Sequence, residues 1–277
     1  MFRRKNPLFD LIFIFILVPI FVFAFMLIFQ RNFIYQPSKK ISKTPEDIGL
    51  KYENVFFETS DGVKLNGWYL CPLKPRGETI LFCHGNAENL SHYLDEIKQF
   101  YDIGFCVLAF DYRGFGLSEG EISEEGTYID ADAAWNYLVK VKKVLPEKII
   151  IVGRSLGGPI AAYLALKHHP RALFLEATFT SIKDIAKMKY PFLPAKFLKY
   201  NYNTLSYIKK VRAPVLIVHS IDDRKVPFHL AQKLFETANH PKKFVKITGP
   251  HKKGFLQKQN HELYKKEVIS FLALTAD

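Results

Sequence analysis

Residues 149–169, IIIVGRSLGGPIAAYLALKHH, decide the fold of this chain. A β-branched apolar run ends just before Gly153, and an apolar pattern of helical period follows Leu156. Between them stands G-x-S-x-G, in which Gly153 and Gly157 leave room for a tight strand-to-helix turn. Such a turn lifts the Ser155 hydroxyl above the edge of a sheet and points the backbone N–H of Leu156 toward a developing oxyanion. The stretch therefore predicts a nucleophile at Ser155 in an α/β fold.

Short apolar runs alternate with helical patterns on both sides of this stretch. Such alternation is typical of a mostly parallel sheet that helices cover on both faces. The apolar fraction of 48% is enough for one large core. A hairpin signal at Ser60-Asp61-Gly62 comes before the alternating part. The predicted strands are 79–83, 105–110, 148–153, 172–177, 214–219 and 243–247, and the predicted helices are near 90–102, 124–144 and 260–274, with one more opening at Leu156.

Polar residues follow several of these strands, at the edge where functional groups gather in such sheets. A serine, an acid and a histidine come in that order, each beyond a separate strand. A serine hydroxyl needs a base to take its proton, and the base needs an acceptor that holds its tautomer. The pattern therefore predicts a Ser–His–Asp triad. The four loops that suggest it are His84-Gly85-Asn86-Ala87, Arg154-Ser155-Leu156-Gly157-Gly158, Ser220-Ile221-Asp222-Asp223 and Thr248-Gly249-Pro250-His251.

These motifs resemble those of the α/β-hydrolase superfamily. More narrowly, the chain is similar to the single-pass, membrane-anchored serine hydrolases grouped with α/β-hydrolase domain-containing protein 13. The resemblance implies an α/β-hydrolase fold and a serine hydrolase of esters, thioesters or amides that uses no cofactor. No metal-ligand spacing occurs in the sequence. The segments that carry the resemblance are IYQP (34–37), HGNAEN (84–89), DYRGFGLSEG (111–120), GRSLGG (153–158), DDRKVP (222–227) and the final G-x-H (249–251).

The resemblance also selects among candidate acids and bases. The family pattern D-x-x-[IV]-P falls on Asp223-Arg224-Lys225-Val226-Pro227, which favours Asp223 over Asp222 as the acid. Glu176, at the end of an earlier strand, is a remoter alternative. His251 and His261 both follow the last strand, and His251 is favoured because it lies in the strand-to-helix loop.

The predicted oxyanion hole combines the backbone N–H of Leu156 with that of Asn86 or its neighbour Ala87.

The sequence departs from the family pattern directly after the predicted base, His251. Relatives commonly continue H-N-D, whereas this chain continues with Lys252 and Lys253. The departure affects the setting of the histidine loop or the charge of the preferred substrate.

The N-terminal part carries a long apolar run, LIFIFILVPIFVFAFMLIF at 11–29. A helix of that length measures about 28 Å, close to the hydrocarbon core of a bilayer. No small-residue cleavage site follows, so the run predicts an uncleaved transmembrane anchor rather than a signal peptide. Basic residues flank both ends, and the positive-inside rule therefore selects no orientation. We expect a basic tail at 1–10, the anchor at 11–29, a linker at 30–50 and a hydrolase domain at 51–277.

The composition of the chain restricts the kinds of partner that it can bind. The net charge is +12, but the lysines are spread along the chain and no zinc-finger or RNA-binding signature occurs, so we expect no nucleic-acid partner. The number and spacing of the three cysteines, Cys71, Cys83 and Cys106, predict no disulfide framework. Cys83 and Cys106 lie in apolar strand-like runs, and we expect them to be buried thiols.

Residues 178–213 are expected to form a lid-like insertion, since they are too few for an independent cap domain. Their aromatic and lysine residues fit either core packing or an apolar acyl-binding roof with a basic rim. Together these features predict a monomeric, membrane-anchored serine hydrolase that cleaves an acyl or lipid ester or thioester through an acyl-enzyme. A serine peptidase or amidase, and a non-catalytic scaffold of hydrolase fold, are the alternatives.

Overall fold

The computed structural model describes residue 11 and residues 13–191, 194–252 and 254–275. Its strands are β1 (Gln36–Pro37), β2 (Glu53–Glu58), β3 (Lys64–Leu70), β4 (Thr79–Cys83), β5 (Ala87–Glu88), β6 (Cys106–Phe110), β7 (Ile149–Arg154), β8 (Ala172–Glu176), β9 (Val215–Ser220) and β10 (Lys242–Ile247). Its α-helices are α1 (Val18–Ile28), α2 (Gln30–Ile34), α3 (Leu94–Ile103), α4 (Glu124–Asn136), α5 (Gly157–His168), α6 (Ile182–Lys189), α7 (Thr204–Ile208), α8 (Phe228–Thr237) and α9 (Lys258–Leu274).

Eight strands form one sheet in the order β10-β9-β8-β7-β4-β6-β3-β2. Strand β3 runs antiparallel to both β2 and β6, and every other neighbouring pair is parallel. The predicted mostly parallel sheet with flanking helices is therefore confirmed. The short strands β1 and β5 form a separate parallel pair that the sequence did not suggest.

Strand β7 shows why both faces of the sheet are covered. Successive side chains of a strand point to opposite faces. Ile151 packs with Ile160 of α5 in one apolar cluster, whereas Ile150 packs in the other, which contains Phe100 of α3. Because β7 is buried on both faces, it reads as a continuous apolar run, and its carboxyl end lies at the centre of the sheet edge.

The predicted membrane span at 11–29 is interrupted. A π-helical turn occupies Phe13–Leu17, Pro19 lies in the first turn of α1, and Phe29 leaves helical geometry before α2. Proline is tolerated in the first turn of a helix, where its missing N–H would have no partner, so Pro19 fits the start of α1. Within the described residues, no helix combines the length and the apolar character needed to cross a bilayer, so the predicted transmembrane helix is not found.

Some predictions fall on residues outside the described part. These are the basic tail at 1–10, residue 12 of the apolar run, residues 192–193 of the lid-like segment and Lys253. The rest of the lid-like segment contains α6, a 3₁₀ turn at Ala195–Phe197 and α7.

The cysteine prediction was wrong in one respect. Cys71 and Cys106 form a disulfide with Cα atoms 4.1 Å apart, and Cys83 is the buried free thiol. The reason is the antiparallel pairing of β3 with β6, which sets Leu70 opposite Val107 and so brings Cys71 beside Cys106. Sequence spacing does not show that these two strands are neighbours.

Candidate active site

The turn between β7 and α5 holds Ser155 in a left-handed backbone conformation, with φ of 52°. Such a conformation in a non-glycine residue costs about 1–3 kcal/mol and persists only where the surroundings enforce it. The N–H of Ser155 donates to Glu176 O at 2.8 Å, and its carbonyl oxygen accepts from Thr178 Oγ1 at 2.7 Å. A Cβ on Gly157 would collide with the carbonyl oxygen of Cys83, so only glycine fits there.

The three predicted triad side chains lie in one hydrogen-bonded chain. His251 Nε2 is 3.2 Å from Ser155 Oγ, and His251 Nδ1 is 2.6 Å from Asp223 Oδ2. The other carboxylate oxygen of Asp223 accepts from the backbone N–H groups of Lys225 at 2.8 Å and Val226 at 2.9 Å. These residues belong to three different strand-to-helix connections, as the sequence predicted for their positions.

The environment of Asp223 keeps it ionised. Its burial raises the pKa, but the hydrogen bond and charge of His251, together with the N–H of Val226, outweigh burial and hold the pKa below the usual value. An ionised carboxylate accepts a hydrogen bond from the N–H at His251 Nδ1, which leaves Nε2 free to accept a hydrogen bond from Ser155.

The alternative acids and bases lie elsewhere. Asp222 accepts the N–H of Gly249 at 2.8 Å, whereas the hydrogen bond from His251 goes to Asp223. His261 lies within the first turn of α9, outside the loop that carries His251. Glu176 is buried and accepts from Tyr264 at 2.5 Å, and burial raises the pKa of Glu176.

His219, which sequence reasoning missed, lies beneath the acid. Its Nε2 donates to Val226 O at 2.9 Å and is 3.6 Å from Asp223 Oδ2. Burial lowers the pKa of His219, so the ring is neutral near pH 7. Its place near the end of β9, four residues before Asp223, was the available signal.

Arg154, the variable residue of G-x-S, was also missed. Its guanidinium donates to Lys252 O at 3.1 Å and stacks 4.4 Å from the ring centroid of Phe255. On its other side it pairs with Glu176 at 3.3 Å and Glu96 at 3.6 Å. Arg154 therefore joins the serine turn to the loop that carries His251.

The predicted oxyanion residues meet at the same place. Asn86 and Leu156 border one cavity with Ser155, and Ala87 follows Asn86 in β5. Asn86 Nδ2 donates to Ile34 O at 2.8 Å, and Asn86 O accepts from the N–H of Gln36 at 2.9 Å. The residues just after the apolar run thus hold the oxyanion loop.

The cavity beside Ser155 measures about 270 Å³, just below the usual range of about 300–1,000 Å³ for small-molecule sites. Its walls come from α1, α2, the oxyanion loop, the lid-like segment and the loop after β9. Most of the lining is apolar, with two lysines and two glutamines. The lining residues are Met26, Gln30, Phe33, Ile34, Gln36, Asn86, Ser155, Leu156, Phe179, Ile182, Ile185, Ala186, Lys189, Tyr190, Leu198, Lys225 and Val226.

The N-terminal segment is thus part of the site, although the sequence predicted a separate anchor and linker. Gln30 is buried, and its Oε1 accepts from the N–H of Lys199 at 2.8 Å. The rings of Phe23 and Phe197 lie 5.7 Å apart, centroid to centroid. Helices α1 and α2 therefore pack against the lid-like segment and close one side of the cavity.

This chain belongs to the α/β-hydrolase superfamily. The family model described as alpha/beta hydrolase fold matches residues 78–198. The alpha/beta hydrolase domain-containing protein WAV2 of Arabidopsis thaliana is 34% identical over 277 residues, which cover 90% of this chain and 89% of that protein. Protein bem46 of Schizosaccharomyces pombe is 32% identical over 224 residues, covering 76% of this chain and 75% of that protein.

Solved structures agree on the fold. The esterase Pf2001 of Pyrococcus furiosus aligns with a TM-score of 0.72 at 21% identity, over 87% of this chain and 97% of that chain. The narrower resemblance to membrane-anchored hydrolases stays a prediction.

Proposed function

We propose that this protein is a serine hydrolase that cleaves acyl esters or thioesters. The observation that carries the proposal is the hydrogen-bonded chain from Ser155 through His251 to Asp223, with distances of 3.2 and 2.6 Å. A serine hydroxyl becomes an effective nucleophile when a base in hydrogen-bond reach takes its proton.

In the proposed reaction, Ser155 Oγ attacks the carbonyl carbon while its proton passes to His251 Nε2. The negative charge that develops on the carbonyl oxygen is stabilised by the N–H of Leu156 and that of Asn86 or Ala87. The tetrahedral intermediate collapses, and the alcohol or thiol leaves with the proton from His251. Water then attacks the acyl-enzyme by the same route and releases the acid and Ser155.

The apolar cavity supports acyl substrates over peptides. Phe33, Ile185 and Leu198 border the space next to Ser155, and such walls suit an alkyl chain rather than a polar peptide backbone. A solved structure of the same fold is an esterase of Pyrococcus furiosus, which supports this choice. A peptidase or amidase would use the same catalytic groups, and it is the second candidate.

The test is covalent labelling by a fluorophosphonate together with turnover of p-nitrophenyl esters of rising chain length. Ser155→Ala should abolish labelling and reduce turnover by several orders of magnitude. Ser60→Ala, in the exposed hairpin turn, is the matched control and should match the native protein. A native protein that is neither labelled nor active would be a non-catalytic scaffold, and a higher kcat/KM for peptides than for esters would make it a peptidase.

We also propose that the N-terminal segment holds the enzyme at a lipid surface. Phe15, Phe21 and Ile28 are 72%, 70% and 74% exposed, within a run of exposed apolar side chains. Contiguous exposed apolar surface of this kind marks interaction sites. A short connection to the first strand of the sheet would keep Ser155 near lipid-borne esters.

Flotation of the full chain with vesicles after alkaline carbonate washing tests this proposal. Phe15→Glu combined with Phe21→Glu should release the protein, whereas Leu73→Glu, at a fully exposed position elsewhere, should not. Release of the native protein by carbonate would contradict it.

A further inference from the structure

Two lysines border the cavity beside Ser155, and a third lies close enough for its charge to act on one of them. Lys189 ends α6, and Lys225 follows the acid by two residues. Both line the cavity that contains Ser155. Lys252 directly follows His251, and its Nζ lies 5.5 Å from the ring centroid of Tyr93. The three side chains come from three separate segments, so their grouping is a product of the fold.

Their positive charge is not compensated locally. Among the described residues, no carboxylate lies within 4.0 Å of any of the three ammonium groups. The acid that faces Lys225 is Asp223, whose oxygens already accept from His251 and from two backbone N–H groups. Burial and the charges of Lys189 and Lys252 lower the pKa of Lys225, with Asp223 acting in the opposite direction.

Like charges gathered around a cavity raise the local concentration of an oppositely charged ligand. Other lysines of the surface also lack a carboxylate partner, and what distinguishes Lys189 and Lys225 is that they border both the apolar walls and the serine.

We propose that the preferred substrate is an acyl ester or thioester whose leaving alcohol or thiol carries an anionic group, a phosphate or a carboxylate. The inference rests on the proposed hydrolase function. The apolar walls hold the acyl chain, and Lys189 and Lys225 bind the anion at the opening. The reaction consumes one water and gives a fatty acid and the anionic alcohol or thiol. Charge-assisted hydrogen bonds from ammonium groups supply the selectivity.

The test compares two esters with the same acyl chain, 1-hexanoylglycerol 3-phosphate and 1-hexanoylglycerol, at concentrations where both are monomeric. For the native protein, kcat/KM should be at least about tenfold higher for the phosphate ester, mainly through a lower KM. Lys189→Gln and Lys225→Gln should each lower this ratio by about tenfold. Lys189→Arg should retain most of it, because the charge remains.

Two further comparisons identify the anion and its source. In the first comparison, the hexanoyl ester of glycolate carries a carboxylate in place of the phosphate, and the hexanoyl ester of ethylene glycol is its neutral counterpart. Long-chain 1-acylglycerol 3-phosphate in phosphatidylcholine vesicles presents the phosphate as a lipid headgroup. A preference seen with monomers and lost in vesicles assigns the site to a soluble substrate, and a preference kept in vesicles assigns it to a headgroup.

Lys210→Gln is the matched control, since this exposed lysine precedes β9 and so lies at the sheet edge opposite Ser155. It should leave both rates unchanged. A ratio near one in the native protein, with the neutral ester still cleaved, overturns the inference and leaves the proposed function standing. Failure to cleave either ester, together with absent fluorophosphonate labelling, overturns both.

Discussion

The side-chain oxygen of Gln30 accepts a hydrogen bond of 2.8 Å from the backbone N–H of Lys199, across 169 positions of sequence. The amide nitrogen of Gln30 donates to Leu27 O at 2.9 Å within the helical segment. One buried side chain thus connects the apolar N-terminal segment with the lid-like segment above the serine. The shape of the cavity beside Ser155 depends on this connection, because both segments supply its walls.

Gln30→Leu should loosen the cavity. It leaves the N–H of Lys199 without its partner, and such a loss costs about 1–3 kcal/mol. We expect KM to rise several-fold for p-nitrophenyl esters of medium chain length and to change little for the acetate, which needs little of the apolar wall. Asn32→Ala, exposed in the same helix, is the control. Equal effects on all chain lengths would show that Gln30 does not shape the acyl site.

Asp223→Asn should reduce kcat by about 10⁴-fold, because the amide favours the wrong tautomer of His251. Asp222→Asn is the control one residue away. Asp222 accepts the N–H of Gly249 rather than contacting His251, so its substitution should cost far less activity. The measurement is kcat for one ester at pH 8. The reverse order of effects would move the acid to Asp222.

Arg154→Met should destabilise the protein by about 3–5 kcal/mol, because Glu176 and Glu96 would then be buried without a cation. It should also lower kcat, since the loop of His251 loses its donor to Lys252 O. Urea unfolding and ester turnover measure the two effects. Adding Glu176→Gln should restore part of the stability but not the activity. Recovery of both would show that Arg154 acts only through the buried charge pair.

His219 predicts a pH dependence of stability. Burial holds its folded pKa below the unfolded value of about 6.5, so between these values the unfolded chain binds more protons. The stability is fully present above pH 6.5 and is lost as the pH falls through the folded pKa. His219→Gln should therefore lose less stability than the native protein between pH 7.5 and 5, as measured by urea unfolding. His229→Gln, at an exposed position, should show the native slope. Parallel slopes for all three proteins would contradict the assignment.

The sequence by itself determined the framework of this protein. The glycines around Ser155 are demanded by contacts with adjacent chain, and the strands read as apolar runs because both faces of the sheet are buried. The helices predicted near 90–102 and 260–274 appear as α3 and α9, within a few residues. The predicted helix at 124–144 begins at the same residue as α4 but changes to a π-helical turn at Tyr137–Val141. These features depend on local backbone requirements and on periodicity.

Only the tertiary structure decided what surrounds the serine. The Cys71–Cys106 disulfide depends on β3 being the neighbour of β6, and the Arg154–Lys252 contact spans 98 positions. The apolar run at 11–29 has the composition of a membrane span, yet its continuation at Gln30 packs against the lid-like segment. Composition reports how apolar a segment is, whereas its neighbours are set by the path of the whole chain. For that reason the sequence could place Ser155, Asp223 and His251, but not the walls and charges of the cavity beside them.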